Sequence, residues 1–406
     1  MEWLVIADDL TGACDTGGAF TRAWQRVKVV LDLNQVIPEA DVLVFNTESR
    51  SMTGEGAVEA IAWLFQSITP GHCCRVYKKI DSTLRGHPWL ELEAVKRGLG
   101  CEQALVAPAF PEQGRTVLHG IVRVNGIPLE ETAFASEGSL GFMRSLLSMN
   151  SHTHLLSIEE VRKGENWITQ KMLDEDVETI VADAETVADL RILARSFLRS
   201  SLRLVCGSAG LARALASESG KSEPFRENLE AVSPVMVIAG SRHPATLTQI
   251  EAAARNGIQV IEPDFTELRV ASKRKILIKG IQRKLFQNKQ ILISSSALDY
   301  KRGQELQVAQ DLADLVVAVI DGAPMGGLVL TGGDIASAVC RELHCGVITL
   351  GGEILPGMIW GSLEGGLAPG LMVVTKAGGF GDDNALLTAV AFLTKHSSQG
   401  PMGAGP

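Results

Sequence analysis

The chain has 406 residues, more than one hydrophobic core usually organises, so its length favours two domains. Its 38 lysines and arginines and 47 aspartates and glutamates give a formal net charge of −9. The sequence contains no run of lysines and arginines of the kind that binds a polyanion, so nucleic acid is not an expected partner. Anionic metabolites remain candidate ligands, because a few arginines can bind a carboxylate or a phosphate at any net charge.

The seven cysteines indicate a reducing compartment. They are odd in number, form no CxxC pair, and include the adjacent Cys73 and Cys74, which cannot form an ordinary unstrained disulfide. The first residues, MEWLVIADDL, lack the basic and apolar regions of a signal peptide, and no later apolar run is long enough to cross a bilayer. We therefore expect a soluble, cytoplasmic protein without a membrane partner.

Short apolar runs rich in β-branched residues alternate with helical patterns, which predicts an α/β fold. We expect two three-layer α/β domains with mainly parallel sheets and a cleft between them. The strands predicted in the first half are 3–7, 42–46, 76–80, 104–108, 179–182 and 202–206. Those predicted in the second half are 235–239, 291–294, 328–331, 347–350 and 372–376.

A polar segment with two prolines, residues 217–234, separates the two series of strands and is typical of an interdomain linker. It predicts an N-terminal domain over residues 1–230 and a C-terminal domain over residues 231–396. The last residues, 397–406, are small and polar and predict a flexible tail.

Two carboxylates, Asp8 and Asp9, follow the first predicted strand, and such a pair is suited to acid–base chemistry. The run nearly matches the DxDxT motif of phosphotransferases that use a nucleophilic aspartate, but the nucleophile position holds Ala7, so an aspartyl-phosphate is not expected. One of the two aspartates is expected to cap the next helix.

Three further segments of the first half are dense in polar residues: NTESRSM around Arg50, KKIDSTLRGHP over 78–88, and PAFPEQGRTVLHG over 108–120. Each places a cation beside hydroxyl or acid groups, a mixture suited to a carboxylate and to sugar hydroxyls. A single arginine of this kind more often forms a surface ion pair, and His87 and His119 are as readily ordinary turn residues. The clustering is what favours a polar, anionic substrate.

Several predicted strands of the second half end in small residues and lead straight into helices. Because the carboxyl ends of parallel strands share one edge of a sheet, these turns should lie together where ligands bind. Glycines allow close approach to a phosphate, and a helix N-terminus offers free N–H groups. The four segments are VMVIAGSRHPATL, ILISSSAL, LVLTGGDIASAV and MVVTKAGGFGDDNAL.

The best phosphate-binding candidates are Gly332 with Gly333 and the glycine group at positions 378, 379 and 381, with Ser241 as a hydroxyl donor. Lys376 could neutralise charge on a transferred phosphoryl group. Asp334, Asp382 or Asp383 could hold Mg²⁺ directly or through water. Tight turns are, however, needed in any α/β domain. Gly220, Lys221 and Ser222 imitate the end of a Walker loop without its first glycine or a preceding strand, and no GxGxxG motif is present.

Taken together and in order, these motifs resemble the four-carbon acid sugar kinase family over nearly the whole chain. They are IADDLTGACDTG, TESRSM, KKIDSTLRGHP, PAFPEQGRTV, GSAGLARAL, IAGSRHPAT, LTGGDIASAV and TKAGGFGDDNAL. The resemblance implies an N-terminal domain that binds a sugar acid, a C-terminal domain that binds ATP, and phosphorylation of the 4-hydroxyl of threonate, erythronate or 3-oxo-tetronate. With the acidic candidates named above, we expect the ATP to carry Mg²⁺.

The resemblance also implies roles for individual residues. The implied substrate-binding residues are Asp9, Arg50, Lys79, Asp81, Ser82 and Thr83, to which the polar segments add Asp8, Arg85 and Arg115. The implied nucleotide-binding residues are Ser241, Gly332, Gly333, Asp334, Ile335 and Gly378, to which the glycine turns add Lys376 and Gly379. Asp334 stands where relatives often carry Glu, which keeps a carboxylate there. Asp9 is our first candidate for the catalytic residue that orients or deprotonates the hydroxyl, and Asp382 is the second.

Two other functions remain open at this stage. A sugar-acid phosphatase or isomerase would use Asp8 and Asp9 and turn over without nucleotide. A regulatory sensor would bind a sugar acid and a nucleotide without chemistry. A homodimer is the default expectation for a soluble enzyme.

Overall fold

The computed structural model describes residues 1–34, 36–135, 152–174, 176–221, 230–301 and 303–394. The chain divides into two compact units, Met1–Phe225 and Arg226–Pro406. The division falls inside the polar segment 217–234, although a helix still continues through Glu218. The expected tail, 397–406, lies outside the described residues.

The first unit is built on parallel strands. Eight of its described strands form one sheet in the order β2-β3-β1-β4-β11-β5-β10-β9, and every neighbouring pair in it is parallel. They are β1 (Trp3–Ala7), β2 (Val27–Val30), β3 (Val42–Asn46), β4 (Arg75–Lys79), β5 (Ala104–Ala107), β9 (Thr153–Leu156), β10 (Thr179–Ala182) and β11 (Leu204–Gly207). All five residues of β1 are buried, so both faces of the sheet are covered, as a three-layer α/β fold requires.

A small antiparallel sheet follows β5. Its strands are β6 (Arg115–Leu118), β7 (Ile121–Val124) and β8 (Ile127–Pro128). The polar segment PAFPEQGRTVLHG therefore runs from the end of a parallel strand into a hairpin. These strands, together with β2 and β9, were not predicted, because each has only two to four residues and no long apolar run.

The structure describes seven helices in the first unit, and five of them begin at a side-chain cap. The seven are α1 (Leu10–Phe20), α2 (Gly54–Ser67), α3 (Pro88–Leu99), α4 (Ile158–Val161), α5 (Glu165–Met172), α6 (Val187–Arg199) and α7 (Ala209–Glu218). Asp9, Thr53 and Thr186 accept backbone N–H bonds at the starts of α1, α2 and α6. Each cap follows a strand or loop end, so the caps fix where the chain leaves the sheet edge.

The second unit has a mixed sheet. Its strands are β12 (Val235–Ala239), β13 (Gln259–Ile261), β14 (Ile291–Ser294), β15 (Gly327–Thr331), β16 (Val347–Leu355), β17 (Met358–Glu364) and β18 (Met372–Lys376). The order β13-β14-β12-β15-β18 is parallel throughout, whereas β17 pairs antiparallel with both β18 and β16. The sequence predicted only the first part of β16 and neither β13 nor β17. Gly351 and Gly352 interrupted the apolar run that would have extended β16.

Helices on the second unit connect these strands. They are α8 (Pro244–Arg255), α9 (Phe265–Arg269), α10 (Ala271–Phe286), α11 (Glu305–Ile320), α12 (Gly333–Glu342) and α13 (Ala385–Thr394). The buried side chains of α8 and α13 pack with those of β12, β15 and β18 in one apolar cluster. None of the described helices combines the length and apolar character of a bilayer-spanning helix.

Gly351 and Gly280 give a matched test of this packing within one unit. A methyl group at Gly351 would lie 1.9 Å from the buried ring of Trp360, whereas one at Gly280, within α10, would meet no atom within 4 Å. Gly351→Ala should therefore lower the free energy of unfolding by about 1–3 kcal/mol through overpacking. Gly280→Ala should raise it by about 0.5–1 kcal/mol through helix propensity. Urea denaturation of both variants measures these changes, and a stabilised Gly351→Ala variant would contradict the packing described.

Candidate active-site regions

Of the two aspartates that follow β1, Asp9 is the one that caps helix α1. Its Oδ1 accepts the backbone N–H of Gly12 at 3.0 Å, and its Oδ2 accepts the hydroxyl of Thr11 at 2.7 Å. The same Oδ1 also accepts Arg50 Nη2 at 2.7 Å. The residue expected to act on a substrate hydroxyl is thus the one that also starts α1, and its carboxylate is held in place from two sides.

Arg50 binds the other aspartate, Asp8, through two nitrogens of its guanidinium. Its Nε donates to Asp8 Oδ2 and its Nη2 to Asp8 Oδ1, each at 2.8 Å. Its backbone N–H also donates to the Asp8 carbonyl at 3.1 Å. Burial alone would raise the pKa of Asp8, but the charge of Arg50, with those of Lys78 and Lys79, outweighs it and holds that pKa below its ordinary value. Asp8 is therefore a buried, ionised anchor.

Asp81 accepts most of the hydrogen bonds within the next polar segment, residues 78–88. It accepts Arg85 Nε at 3.1 Å, Arg85 Nη2 at 2.8 Å and the backbone N–H of Thr83 at 3.0 Å, and the Thr83 hydroxyl donates to it as well. Arg50 Nη2 lies 3.9 Å from its Oδ1. Burial opposes ionisation, yet Arg85 and Arg50 hold the pKa of Asp81 far below its ordinary range. One charge network therefore joins the ends of β1, β3 and β4.

Lys79, the last residue of β4, lies at the same place. A methyl group on Gly12 would be 2.9 Å from Lys79 Nζ and 2.4 Å from Asp9 Oδ1, so the ammonium and the carboxylate flank the first turn of α1. The side chain is largely buried. Glycine at position 12 is what leaves room for both groups.

Arg115 and Ser82 are placed less tightly. Arg115 begins β6 and donates from Nη1 to the carbonyl of Gln113. Partial burial lowers the pKa of Arg115 overall, and the charge of Asp81 opposes that shift. Arg115 therefore lies within the electrostatic reach of the network. Ser82 is half-buried beside Asp81.

A buried ion pair beneath this network was not predicted. Lys78 Nζ lies 2.6 Å from Glu91 Oε2, and both side chains are fully buried. The other oxygen of Glu91 accepts the hydroxyl of Ser49 at 2.5 Å, and Ser49 opens the short 3₁₀ turn that carries Arg50. The available signal was a lysine inside an otherwise apolar strand, which requires an acidic partner when that strand is buried.

In the second unit, the predicted turns do come together, because β14, β12, β15 and β18 are neighbours and parallel. A cavity of about 360 Å³ opens beyond the carboxyl ends of β12, β14 and β15. Its lining residues are Gly240, Ser241, Arg242, Tyr300, Glu305, Val308, Ala309, Gly332, Asp334 and Ile335. Four of these, Ser241, Gly332, Asp334 and Ile335, were predicted site residues.

The remaining lining residues were missed, and they give the cavity its shape. Arg242 lies 4.9 Å above the ring of Tyr300, a cation–π contact, and Val308 and Ala309 come from the first half of α11. The detectable signal was Tyr300 itself, one of only two tyrosines, following the strand-end segment ILISSSAL. An aromatic and apolar wall beside glycine turns suits a flat, partly apolar ligand.

Gly332 has the positive φ of 102° that a residue with a Cβ rarely adopts, and it starts α12 without a side-chain cap. The N–H groups of the first turn, which begins at Gly333 and includes Asp334, are therefore not claimed by a capping side chain at that position. Such a helix start is suited to an anionic ligand.

The glycine loop after β18 packs on the Ser241 turn. A methyl group on Gly378 would lie 2.1 Å from Ser241 Oγ, and one on Gly379 would lie 3.3 Å from the ring of His243. Lys376 is buried beneath the loop and donates to the carbonyl oxygens of residues 377, 378 and 380 at 3.0, 3.3 and 2.9 Å. Burial lowers the pKa of Lys376 to about 8.

Asp382 and Asp383 are exposed at the end of this loop, and Asp382 Oδ1 accepts the backbone N–H of Asn384 at 3.0 Å. No group of three or more His, Cys, Asp or Glu side chains suited to a metal ion occurs among the residues that the structure describes. A metal here would need most of its ligands from a bound molecule.

Two family models match the chain, one for each unit. Residues 3–215 match a sugar-binding N-terminal domain, and residues 236–386 match a nucleotide-binding C-terminal domain. Among curated proteins, a D-threonate kinase from Salmonella typhimurium is 33% identical, with 97% of this chain and 98% of that protein covered. A D-erythronate kinase from Heliobacterium modesticaldum is 27% identical, with 98% of each chain covered.

Solved structures agree on the fold. One from Salmonella typhimurium superposes with a TM-score of 0.79 at 21% identity, covering 96% of this chain and 99% of that one. Another from Haemophilus influenzae gives 0.73 at 19% identity, covering 96% and 100%. The two domain matches and the full-length kinase relatives lead to one conclusion: the chain belongs to the four-carbon acid sugar kinase family and is a phosphotransferase.

Proposed function

We propose that this enzyme transfers the γ-phosphoryl group of ATP to the 4-hydroxyl of a four-carbon sugar acid such as threonate, erythronate or 3-oxo-tetronate. The observation that carries the proposal is the charge network that holds Asp9, Arg50 and Asp81 together at one end of the first sheet. The names of the relatives, D-threonate kinase and D-erythronate kinase, support this substrate class.

The charge balance of the network indicates how an anionic substrate is bound. Three carboxylates are matched by three cations: Asp8, Asp9 and Asp81 by Arg50, Lys79 and Arg85. An added carboxylate needs a further positive charge, and Arg115 is the cation in electrostatic reach that supplies it. Arg50 is mainly an organiser, since Asp8 and Asp9 already occupy its Nε and Nη2.

Asp9 is positioned to accept a hydrogen bond from the substrate hydroxyl. Its carboxylate is fixed by Gly12, Thr11 and Arg50, so little reorganisation is needed when the substrate arrives. Phosphoryl transfer depends more on alignment and charge neutralisation than on a strong base, so an orienting carboxylate suffices. Asp382, on the second unit, is the second candidate for this role.

The cavity of the second unit suits a nucleotide. The apolar side chains of Val308, Ala309 and Ile335, with Tyr300, can cover a base, while the start of α12 and the glycine loop offer N–H groups for phosphates. Mg²⁺ would accompany the phosphates, and the carboxylate of Asp334, which lines the cavity, is the protein group that would hold it, directly or through water. When bound, it neutralises phosphate charge.

A product screen tests the activity itself. Purified protein is incubated with each of the three four-carbon acids, with and without Mg²⁺-ATP, and products are read by mass. We expect a sugar-acid phosphate and ADP only where ATP is present. Without nucleotide, phosphate release from a phosphorylated four-carbon acid would identify a phosphatase, and a change in chromatographic retention at unchanged mass would identify an isomerase. Ligand-induced thermal stabilisation without ADP would identify a sensor.

Asp9→Asn separates catalysis from helix capping, since asparagine caps as well as aspartate does. We expect kcat to fall by about 10²-fold or more while KM for ATP stays the same, because the fixed negative charge beside the hydroxyl is lost. Asp264→Asn, at the exposed cap of α9, is the matched control. Turnover equal to the unmodified enzyme would remove Asp9 from catalysis.

Arg115→Met tests the carboxylate contact. Loss of a charged hydrogen bond worth about 1.5–3 kcal/mol should raise KM for the sugar acid about 10- to 100-fold. The preference for the acid over the matching uncharged polyol should fall by a similar factor. Arg123→Met, in the neighbouring strand of the same hairpin, is the control and should leave both values unchanged. An unchanged preference in Arg115→Met would assign the carboxylate to another residue.

A further inference from the structure

We propose that Thr246, Gln249 and Lys376 are positioning residues that turn the carbonyl oxygens of loop 377–382 inward and so present its amide N–H groups to the nucleotide phosphates. The proposal rests on the proposed function, in that it assumes a nucleotide in the second unit. None of the three residues needs to touch that nucleotide.

The carbonyl oxygens of this loop are bound from behind. Lys376 donates to the carbonyls of residues 377, 378 and 380, and Thr246 Oγ1 also donates to that of Gly378, at 2.7 Å. Gln249 Nε2 donates to the carbonyls of Phe380, Gly381 and Asp382 at 3.0, 3.2 and 2.9 Å. Five of the six carbonyls in the loop are therefore held by three side chains.

The three donors form a buried platform. Thr246 and Gln249 lie three residues apart on one face of α8, and neither has any exposed surface. Lys376 is 1% exposed at the end of β18, and its three protons match its three carbonyl acceptors. The loop above this platform is half-buried to exposed.

The inward direction of these carbonyls determines the direction of the neighbouring N–H groups. In a trans peptide the C=O of one residue and the N–H of the next point in opposite directions. With the carbonyls of residues 377, 378, 380 and 381 turned inward, the N–H groups of residues 378, 379, 381 and 382 point outward. In the described part of the chain these four N–H groups have no hydrogen-bond acceptor. Successive outward amides form an anion-binding concavity.

The arrangement also assigns Lys376 a different task from direct charge neutralisation. Its ammonium faces carbonyl oxygens and lies below the loop, so its charge acts through the loop. Gln249 is neutral and buried, which makes it the better probe, because its replacement alters the carbonyls without changing any charge near the phosphates.

The experiment compares ADP and adenosine binding by titration calorimetry for the full-length enzyme and for Gln249→Met. Methionine keeps the length of the side chain and removes its donor. We expect the Kd for ADP to rise about tenfold or more, because three carbonyls lose the Gln249 donor and that of Gly381 loses its only side-chain partner, while the Kd for adenosine stays within twofold. KM for the sugar acid should also be unchanged.

Gln282→Met is the matched control, since Gln282 Nε2 likewise donates to two carbonyls, those of Ala318 and Val319, but at the end of α11. Thr246→Val is the second variant, with a smaller expected rise, should Gln249→Met fail to fold. Equal loss of ADP and adenosine affinity, or unchanged ADP affinity in both loop variants, would overturn the proposal. An unmodified enzyme that binds no ADP would instead refute the proposed function.

Discussion

The bidentate ion pair between Arg50 and Asp8 is the interaction on which the first site depends. Asp8 is almost fully buried, and a buried carboxylate is tolerated only when it is paired and hydrogen-bonded. Pairing fixes the guanidinium, which in turn reaches Asp9 and approaches Asp81. Three chain segments that are far apart in sequence thus share one electrostatic centre.

The second site rests on a different constraint, the alignment of parallel strands. Because β12, β15 and β18 run side by side, the turns after them share one edge of the sheet. Neighbouring turns pack closely where one carries a glycine, as Gly378 does against Ser241. The result is a site formed largely by backbone groups. Its chemistry therefore depends on where side chains behind the turns hold the backbone, more than on side chains that face the ligand.

The sequence predicted most of the parallel strands of both units, because a buried parallel strand is a short, continuous apolar run, but it missed the short parallel strands β2, β9 and β13. It also placed the polar segments correctly at strand ends, since Asp8, Arg50 and Asp81 do meet. It did not predict β17 or the hairpin strands β6 to β8, whose short or glycine-broken patterns resemble loops. The partners of Lys78 and Lys376 could not be predicted either, because they are set by tertiary contacts: a glutamate 13 residues away for Lys78, and backbone carbonyls of the adjoining loop for Lys376.

The buried pair of Lys78 and Glu91 illustrates a trade between stability and placement. Two charges withdrawn from water are often no more stabilising than two apolar side chains of the same volume, and can be less so. An apolar replacement of both residues could thus yield a more heat-resistant protein. It would also remove the acceptor for Ser49, and the turn that carries Arg50 would lose its tether to α3. A search for stabilised variants of this enzyme would then tend to select against activity at a position that never meets the substrate.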